Sequence, residues 1–366
     1  MVYYCKTDRL EEIFICDIEA DRFSREEYLP SELRLAGMYH VSRNTIRRLL
    51  ERLLADGTLV RDENRRIRIR KQKKSVGSGK VSLAWAYAAY PDPMISKVTA
   101  GIHRYVREQQ LELQIFSSHE NHEAMLNALR EAKHLGVDGV LLLNFINDKY
   151  KYTDCIDHLL DNGVRVVTVG SAGESRASSC CGDSNGVEEA LTCLIEKYQR
   201  PVYLMSAPSD VKYLNWQGRY LAWCSAMHNA GFGDELEKYN CTVLCGDAPQ
   251  YWSMEQKLFR APYQFTPHLE KMKFPASVFC FNDYLARRLY LAAEEHGLVV
   301  GRDLMILSFD DLPFAARLNP PLSTIKVDSE LLGYTAARLL HQSILKKFQE
   351  PVHLKIPSEF VQRNSF

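Results

Sequence analysis

The amino-acid sequence predicts an α/β protein in which a small N-terminal module precedes a larger body built on parallel β-sheets. Three observations support this fold class. The chain has 366 residues, which is too long for one ordinary compact domain. Residues 71–80 are polar and basic and contain glycine and serine, as expected of a linker. After residue 80, short apolar runs alternate with amphipathic segments, which is typical of a parallel sheet covered by helices on both faces.

Residues 1–70 are expected to form a small helical module that ends in a β-hairpin. Ser31 and Ser42 each stand where a serine would cap the N-terminus of a helix. The second of these helices has one apolar face, formed by Ile46, Leu49, Leu50, Leu53 and Leu54. Beyond it, residues 58–60 and 67–69 have the apolar character of two short strands. The polar segment between the strands, residues 61–66, is expected to form the hairpin turn.

Charge is distributed unevenly between the module and the body. Residues 34–80 carry 14 Lys and Arg against 4 Asp and Glu, whereas residues 81–366 carry 28 against 33. A basic segment attached to a mildly acidic body indicates a polyanion-binding module. A solvated basic linker would account for the charge equally well, so charge alone leaves both interpretations open.

The second predicted helix presents side chains suited to reading DNA. Polar residues lie at its N-terminal end or away from its apolar face: Ser42, Arg43, Asn44, Arg47, Arg48 and Glu51. Such a helix can enter the major groove, where arginine pairs with guanine and asparagine with adenine. The arginines of the hairpin turn are placed to reach phosphate.

Over roughly residues 7–70 the sequence resembles the winged helix-turn-helix domain of the GntR family. The resemblance rests on Leu29–Glu32, Val41–Arg47 and Leu53–Leu59, where turn, cap, arginine and apolar positions fall in register. It implies DNA contacts from Ser42, Arg43, Asn44, Thr45 and Arg47. The predicted DNA-binding set also includes nearby polar residues of the helix ends and the hairpin turn: Ser31, Arg34, Arg48 and Arg65.

The module departs from the family pattern at two places. Leu33 stands where members often carry arginine, and Arg34 follows it. The turn of the hairpin lacks the family's glycines, and Asn64 is the only residue there suited to a left-handed conformation. Contacts from the hairpin are therefore less well supported than contacts from the helix. A helical oligomerisation module is the alternative interpretation of this segment.

The body is predicted to alternate strands and helices. One helix should bury Ile95, Val98, Ile102, Tyr105 and Val106, and others should run from Arg219 to Ala230 and up to His296. Strands are expected at residues 81–85, 111–116, 136–143, 164–169, 202–205, 276–281 and 304–308. Some 285 residues are too many for one sheet, so two α/β lobes are expected.

Three polar residues of the body lie where a ligand would bind. Asn282 and Asp310 each follow an apolar strand, and Arg219 lies early on a predicted helix. In open α/β sheets, ligands bind at the carboxyl ends of the strands. An amide, a carboxylate and a guanidinium together suit a polyol, because hydroxyl groups both donate and accept hydrogen bonds. Taken singly, each residue would be better explained by a helix cap or a surface ion pair.

The order of these segments is similar to the effector domain of the LacI family, which is related to periplasmic sugar-binding proteins. The resemblance covers most of residues 81–366 and includes Asn319–Ile325 and Ile356–Ser365. It implies two lobes joined by three crossovers, the first at about 81–184 and 325–350 and the second at about 185–322 and 355–366. It also implies ligand contacts from Arg219, Asn282 and Asp310. Trp252 is either an aromatic platform for a sugar or a core residue, and Asp92 is a weaker candidate.

The two resemblances together predict a DNA-binding transcriptional regulator controlled by a small molecule. We expect a cytoplasmic homodimer that represses carbohydrate-utilisation genes through operator DNA and is controlled by a sugar bound between the lobes. An activator or a co-repressor-dependent regulator is the alternative role. A pentose, a hexose, a uronate or a nucleoside would each suit the three ligand residues.

Other classes of protein are disfavoured by the sequence. No run of about 18 apolar residues occurs, so no membrane span is expected, and the first residues lack the apolar segment of a secretion signal. Enzymatic activity is not expected, because Gly-x-Gly-x-x-Gly, phosphate-loop and Gly-x-Ser-x-Gly motifs are missing. No catalytic residue or cofactor is assigned. No metal ligand is assigned either, since no Cys-x-x-Cys pair occurs among the ten cysteines.

Overall fold

The structure is a computed structural model in which the chain divides into two compact units, Met1–Gly79 and Lys80–Phe366. It describes residues 10, 14, 28–55, 59–62, 66–69, 80–88, 93–118, 129, 136–143, 153–170, 176–208, 214–246, 262–347 and 350–366. No helix in these ranges is both long enough and apolar enough to cross a bilayer.

The first unit contains two helices and a two-stranded hairpin. Helix α1 spans Glu32–Met38 and helix α2 spans Arg43–Ala55, while strand β1 (Leu59–Arg61) pairs antiparallel with strand β2 (Ile67–Ile69). Their common core is apolar: Leu10, Phe14, Leu35, Ala36, Ile46, Leu49, Leu50, Leu53 and Leu59. The predicted helices and hairpin are confirmed in the described residues. The apolar face of α2 is buried because its residues recur every three or four positions and so meet one side of the module.

The first sheet of the second unit has six strands in the order β13-β7-β6-β5-β3-β4, all parallel. Its strands are β3 (Ser82–Ala88), β4 (Glu112–Ser118), β5 (Gly139–Leu143), β6 (Arg165–Val169), β7 (Ser178–Gly182) and β13 (His353–Ile356). Helices α3 (Pro93–Glu108) and α10 (Ser329–Ile344) cover one face, and α4 (Thr153–Asp161) covers the other. We call this sheet with these helices the first lobe.

The second sheet also has six strands, in the order β14-β12-β11-β10-β8-β9, of which only β14 is antiparallel to its neighbour. Its strands are β8 (Val202–Ser206), β9 (Asn240–Thr242), β10 (Ala276–Cys280), β11 (Leu304–Phe309), β12 (Ser323–Val327) and β14 (Ser358–Val361). Its helices are α5 (Asn185–Tyr198), α6 (Leu214–Asn229), α7 (Leu236–Tyr239), α8 (Thr266–Leu269) and α9 (Asp283–Glu295). We call this sheet with these helices the second lobe.

The chain passes between the two lobes three times, from β7 to α5, from β12 to α10 and from β13 to β14. Asp183 joins two of these crossings, because its carboxylate accepts from the backbone N–H of Ser358 at 2.8 Å and from the Ser358 hydroxyl at 2.5 Å. A Cβ at Gly182 would lie 2.7 Å from Val327 Cγ2. Gly182 and Val327 end strands of different sheets, so the sheets approach each other at their carboxyl edges.

Candidate functional site

A buried arginine occupies the carboxyl edge of the second sheet. Arg219 lies on α6 with only 7% of its surface exposed. Its guanidinium carbon is 3.6 Å from the centroid of the Phe309 ring and 4.5 Å from that of Phe281. Its Nη1 donates to the backbone carbonyl of Phe281 at 2.6 Å. The electron-rich ring faces and the carbonyl stabilise a cation that would otherwise be costly to bury.

Asp310 is the carboxylate partner of this arginine. Arg219 Nη2 lies 3.5 Å from Asp310 Oδ1, and the Asp310 side chain remains 25% exposed. Asp310 directly follows β11 and adopts a positive φ of 115°, while its backbone N–H donates to the carbonyl of Ile325 at 2.8 Å. The unusual backbone conformation is thus held by a hydrogen bond to the neighbouring strand. The pair presents a buried cation beside a partly exposed anion.

Asn282 lies at the same edge and caps a helix. Its Oδ1 accepts from the backbone N–H of Leu285 at 2.9 Å, at the N-terminus of α9. It directly follows Phe281, whose carbonyl binds Arg219. The structure therefore brings Arg219 and Asp310 into direct contact and places Asn282 one residue away from a group that Arg219 binds. The other two predicted ligand residues, Asp92 and Trp252, lie outside the described residues.

A fully buried carboxylate holds the segment that carries Asp310. Asp283 has no exposed surface, and its two oxygens accept from the backbone N–H of Leu312 at 2.7 Å and from the hydroxyl of Thr324 at 2.8 Å. Thr324 Oγ1 in turn accepts from the Asp311 N–H at 3.4 Å. Burial raises the pKa of Asp283 to about 7, although its hydrogen bonds act in the opposite direction. Asp283 therefore holds the backbone of Asp311 and Leu312, the two residues that follow Asp310.

The adjacent carboxylates Asp310 and Asp311 have different partners. Asp311 Oδ1 accepts from Arg363 Nη2 at 2.6 Å, and Arg363 Nη1 also donates to the carbonyl of Leu322 at 2.7 Å. Asp310 instead pairs with Arg219. Because general acid–base catalysis needs groups that meet at one reacting atom, this geometry does not favour a carboxylate pair acting in catalysis.

Reasoning from sequence missed the aromatic and buried members of this site. Phe281 and Phe309 enclose the guanidinium, and Asp283 holds the loop that follows β11. A repeated pattern marks them, because a phenylalanine at the end of β11 or directly after β10 is followed by a polar residue and then by aspartate: Phe281-Asn282-Asp283 and Phe309-Asp310-Asp311. Two parallel strands that end alike at one sheet edge would have indicated a shared site.

A second polar surface lies on the first unit, around the N-terminus of α2. Ser42 Oγ accepts from the Thr45 N–H at 3.2 Å and lies 2.8 Å from Thr45 Oγ1, so the predicted cap is confirmed. The side chains of Ser42, Arg43, Asn44, Arg47 and Arg48 are exposed, and Thr45 is half-buried. The first turns of α2 therefore present most of the predicted DNA-binding residues to solvent.

Helix α1 contributes to the same surface. Ser31 caps it, with Oγ accepting from the Arg34 N–H at 3.3 Å, which confirms the second predicted cap. Glu32 carries an oxygen 3.1 Å from Arg47 Nη2 and 3.6 Å from Arg43 Nη2. An ion pair thus joins the start of α1 to the first turns of α2.

The hairpin has an ordered arginine next to its turn. The Arg66 guanidinium lies 3.9 Å from the centroid of the Tyr28 ring and donates to the Tyr28 hydroxyl at 3.2 Å. Its backbone N–H donates to Asp62 Oδ1 at 2.8 Å. These contacts fix the base of the hairpin against the segment that leads into α1. Arg65, the hairpin residue predicted to bind DNA, lies outside the described residues.

Two family descriptions match the chain. Residues 6–69 match the bacterial regulatory proteins of the gntR family, and residues 196–366 match the periplasmic binding protein-like domain. Among curated relatives, a lactose operon repressor of Rhizobium radiobacter is 34% identical over 91 residues, which cover 25% of this chain and 80% of that protein. The HTH-type transcriptional repressor PurR of Yersinia pestis is 31% identical over 135 residues. That match covers 37% of this chain and 39% of PurR, so the chain matches about two fifths of the length of that relative.

Solved structures share the fold. The Lac repressor dimer bound to operator and an anti-inducer aligns with a TM-score of 0.64 at 19% identity, covering 79% of this chain and 95% of that chain. A LacI family transcriptional regulator from Enterococcus faecium with bound ribose aligns with a TM-score of 0.60 at 21% identity, covering 78% and 98%. At these identities the structures show a common fold and no more.

Proposed function

Because the chain belongs to the LacI family of transcriptional regulators and carries a GntR-type helix-turn-helix module, we propose that it is a DNA-binding repressor controlled by a small molecule. In this proposal residues 1–70 bind operator DNA, residues 71–80 are a linker and residues 81–366 bind the effector and form a homodimer. The effector is a sugar, and its binding lowers the affinity of the protein for operator DNA. Catalysis is no part of this function, since the relatives named above are repressors.

One observation carries the effector proposal: a buried guanidinium and a partly exposed carboxylate meet at the carboxyl edge of the second sheet. Arg219 offers N–H donors and Asp310 offers acceptor oxygens. A sugar hydroxyl can accept from the first while it donates to the second. The Phe309 and Phe281 rings exclude water from the guanidinium, and a drier site strengthens each hydrogen bond.

The way the lobes are joined supports a closing motion. The three crossings lie at the carboxyl edges of both sheets, the edge where Arg219, Asn282 and Asp310 are found. A ligand that touches both lobes binds the closed arrangement more tightly than the open one, and its binding energy shifts the population toward closure. Closure coupled to the DNA-binding module would make each affinity depend on the other.

The arrangement of α2 supports the DNA-binding proposal. Its first turns expose Arg43, Asn44 and Arg47 together, which are the side-chain types that read guanine and adenine in the major groove. Paired helix-turn-helix modules read two half-sites, so a symmetric homodimer is the expected assembly.

Calorimetric titration of the full chain with a panel of monosaccharides tests the effector proposal. Wild type should bind one sugar saturably, and Asp310→Asn should weaken that binding by about tenfold or more, since it removes the charge from a shared hydrogen bond. Asparagine and aspartate adopt a positive φ with similar ease, so the backbone conformation of Asp310 should be retained. Arg219→Ala and Asn282→Ala should also lose binding.

The control for these variants is Arg302→Ala, because Arg302 is an exposed arginine paired with its neighbour Asp303 in the same lobe. It should bind the sugar as wild type does. Thermal unfolding of every variant separates loss of the site from loss of the fold. If no sugar produces heat, or if Asp310→Asn binds like wild type, then the proposed effector site is wrong.

A further inference from the structure

The Glu32 carboxylate accepts two hydrogen bonds from one edge of the Arg47 guanidinium. Arg47 Nη2 donates to Glu32 Oε2 at 3.1 Å, and Arg47 Nε donates to Oε1 at 3.4 Å. Both carboxylate oxygens therefore bind the same edge of the guanidinium, the one formed by Nε and Nη2. The same Oε2 lies 3.6 Å from Arg43 Nη2. Glu32 is the first residue of α1, and the two arginines lie on the first two turns of α2.

The remaining donors of Arg47 point away from the carboxylate. A guanidinium has five N–H groups, and the two that face Glu32 belong to Nε and to one side of Nη2. The end-on pair, Nη1 and the outer side of Nη2, is left to bind another group. That end-on fork matches the O6 and N7 acceptors of guanine. By binding the other edge of the guanidinium, Glu32 thus fixes the direction in which these two donor groups point, and the pair matches guanine.

Stability does not explain the ion pair. The Arg47 side chain is 50% exposed and the Glu32 side chain 31% exposed, and ion pairs this exposed contribute little to folding because water and salt screen them. A carboxylate at this position also opposes the attraction of a basic surface to phosphate. The ion pair itself therefore contributes little to stability and opposes general affinity for DNA.

We propose that Glu32 is a positioning residue that directs the Arg47 guanidinium onto one guanine in each operator half-site. The inference rests on the DNA-binding function proposed above. A long arginine side chain loses rotational freedom when it binds, and one that is already held in place loses less. The carboxylate also lowers the affinity for DNA of any sequence, but this uniform change cancels when two sequences are compared, so the preference for one base comes from positioning.

Glu51 provides a matched control for charge. It is exposed on α2 one turn after Arg47. It forms no ion pair within 4.0 Å with another residue of the described part of the chain. Glu32→Gln and Glu51→Gln remove the same charge from the same surface, but only the first loosens the Arg47 guanidinium. Glu32→Asp keeps the charge and withdraws the carboxylate by one methylene, so it separates positioning from charge.

The experiment selects duplexes from a randomised DNA library with the wild-type chain and then measures base preference at every position for each variant. Glu32→Gln and Glu32→Asp should each lower the preference for guanine at one position of the half-site by about tenfold. Arg47→Ala should lose preference at that same position. Glu51→Gln should keep the wild-type preference, while both Gln variants bind unselected DNA more tightly than wild type.

Three other outcomes of this experiment would each contradict one of these claims. If Glu32→Gln keeps the base preferences of Glu51→Gln, then Glu32 does not position Arg47. If Arg47→Ala lowers affinity equally for every sequence and reduces its dependence on salt, then Arg47 binds phosphate and the inference is wrong. If the wild-type chain enriches no sequence at all, the proposed DNA-binding function fails, and the inference fails with it.

Discussion

Replacing Asp283 with asparagine should remove a decrease in the free energy of unfolding that the wild-type protein undergoes as the pH rises. An ordinary aspartate has a pKa of 3.8, and burial raises the pKa of Asp283 to about 7 in the folded chain. Between these values the folded state holds a proton that the unfolded chain has lost, so stability decreases as the pH rises through this interval. The stabilising effect of the retained proton is complete below about pH 4 and lost above about pH 7.

The size of the effect follows from the difference between the two pKa values. Each pKa unit corresponds to about 1.4 kcal/mol, so the full interval corresponds to on the order of 4 kcal/mol and the part above pH 5 to about 3 kcal/mol. Asparagine has nearly the same shape and can still accept from the N–H of Leu312, but it cannot ionise. Relative to wild type, Asp283→Asn should therefore gain about 3 kcal/mol in free energy of unfolding between pH 5 and pH 8.

Urea unfolding at both pH values measures this difference. All other titrating groups are common to the two proteins, so their contributions cancel in the comparison. Asp234→Asn, which replaces an exposed carboxylate of the same lobe, is the control and should show no comparable gain. Equal pH dependence for wild type and Asp283→Asn would refute the reasoning.

Further predictions concern packing and thiol reactivity. A Cβ at Gly101 would collide with the backbone carbonyl of Glu330, where α3 crosses α10; Gly101→Ala should therefore lower the free energy of unfolding by about 3 kcal/mol, measured by urea denaturation. Among the cysteines of the described residues, exposed Cys245 should react first with maleimide under native conditions. Cys180, whose pKa is raised to about 12 by burial, and the fully buried Cys280 should react only on unfolding; early labelling of either would contradict the predicted burial.

Much of the fold follows from apolar patterning. Strands β3, β5, β6, β8, β10 and β11 contain long runs of apolar residues buried on both faces of a sheet, and the sequence predicts all of them. The predicted strand at residues 136–143 begins only at Gly139 in the structure, because Gly136 has a left-handed φ of 65° and forms a turn. The buried face predicted for α3 is confirmed in full.

Other elements lack such a signal. Strand β7 reads Ser-Ser-Cys-Cys-Gly, while β13 (His-Leu-Lys-Ile) and β14 (Ser-Glu-Phe-Val) are short, half polar and at the margins of their sheets. Their strand conformation depends on pairing with residues far away in the sequence, for example His353 with Ser179. Helix α10 lies in a segment for which sequence reasoning predicted no helix, and it docks on α3 through glycine contacts that only the folded chain reveals.

The candidate site was predictable in position but not in chemistry. Asn282 and Asp310 follow apolar strands, so their place at a sheet edge could be predicted. The stacking of Phe281 and Phe309 on Arg219 depends on how α6 packs across two strands. The inward orientation of Asp283 likewise depends on Leu312 and Thr324, which lie 29 and 41 residues further along the chain. No local pattern encodes such contacts.

The central claim is that a ligand of the second unit changes the affinity of the chain for DNA. The most direct test measures the fluorescence anisotropy of a labelled operator duplex, chosen from the randomised library, with and without a saturating amount of the sugar identified by calorimetry. The account predicts that the sugar weakens operator binding by wild type at least about fivefold, and that Asp310→Asn needs about tenfold or more sugar for the same weakening. A sugar that binds with measurable heat but leaves the operator affinity of wild type unchanged would contradict it.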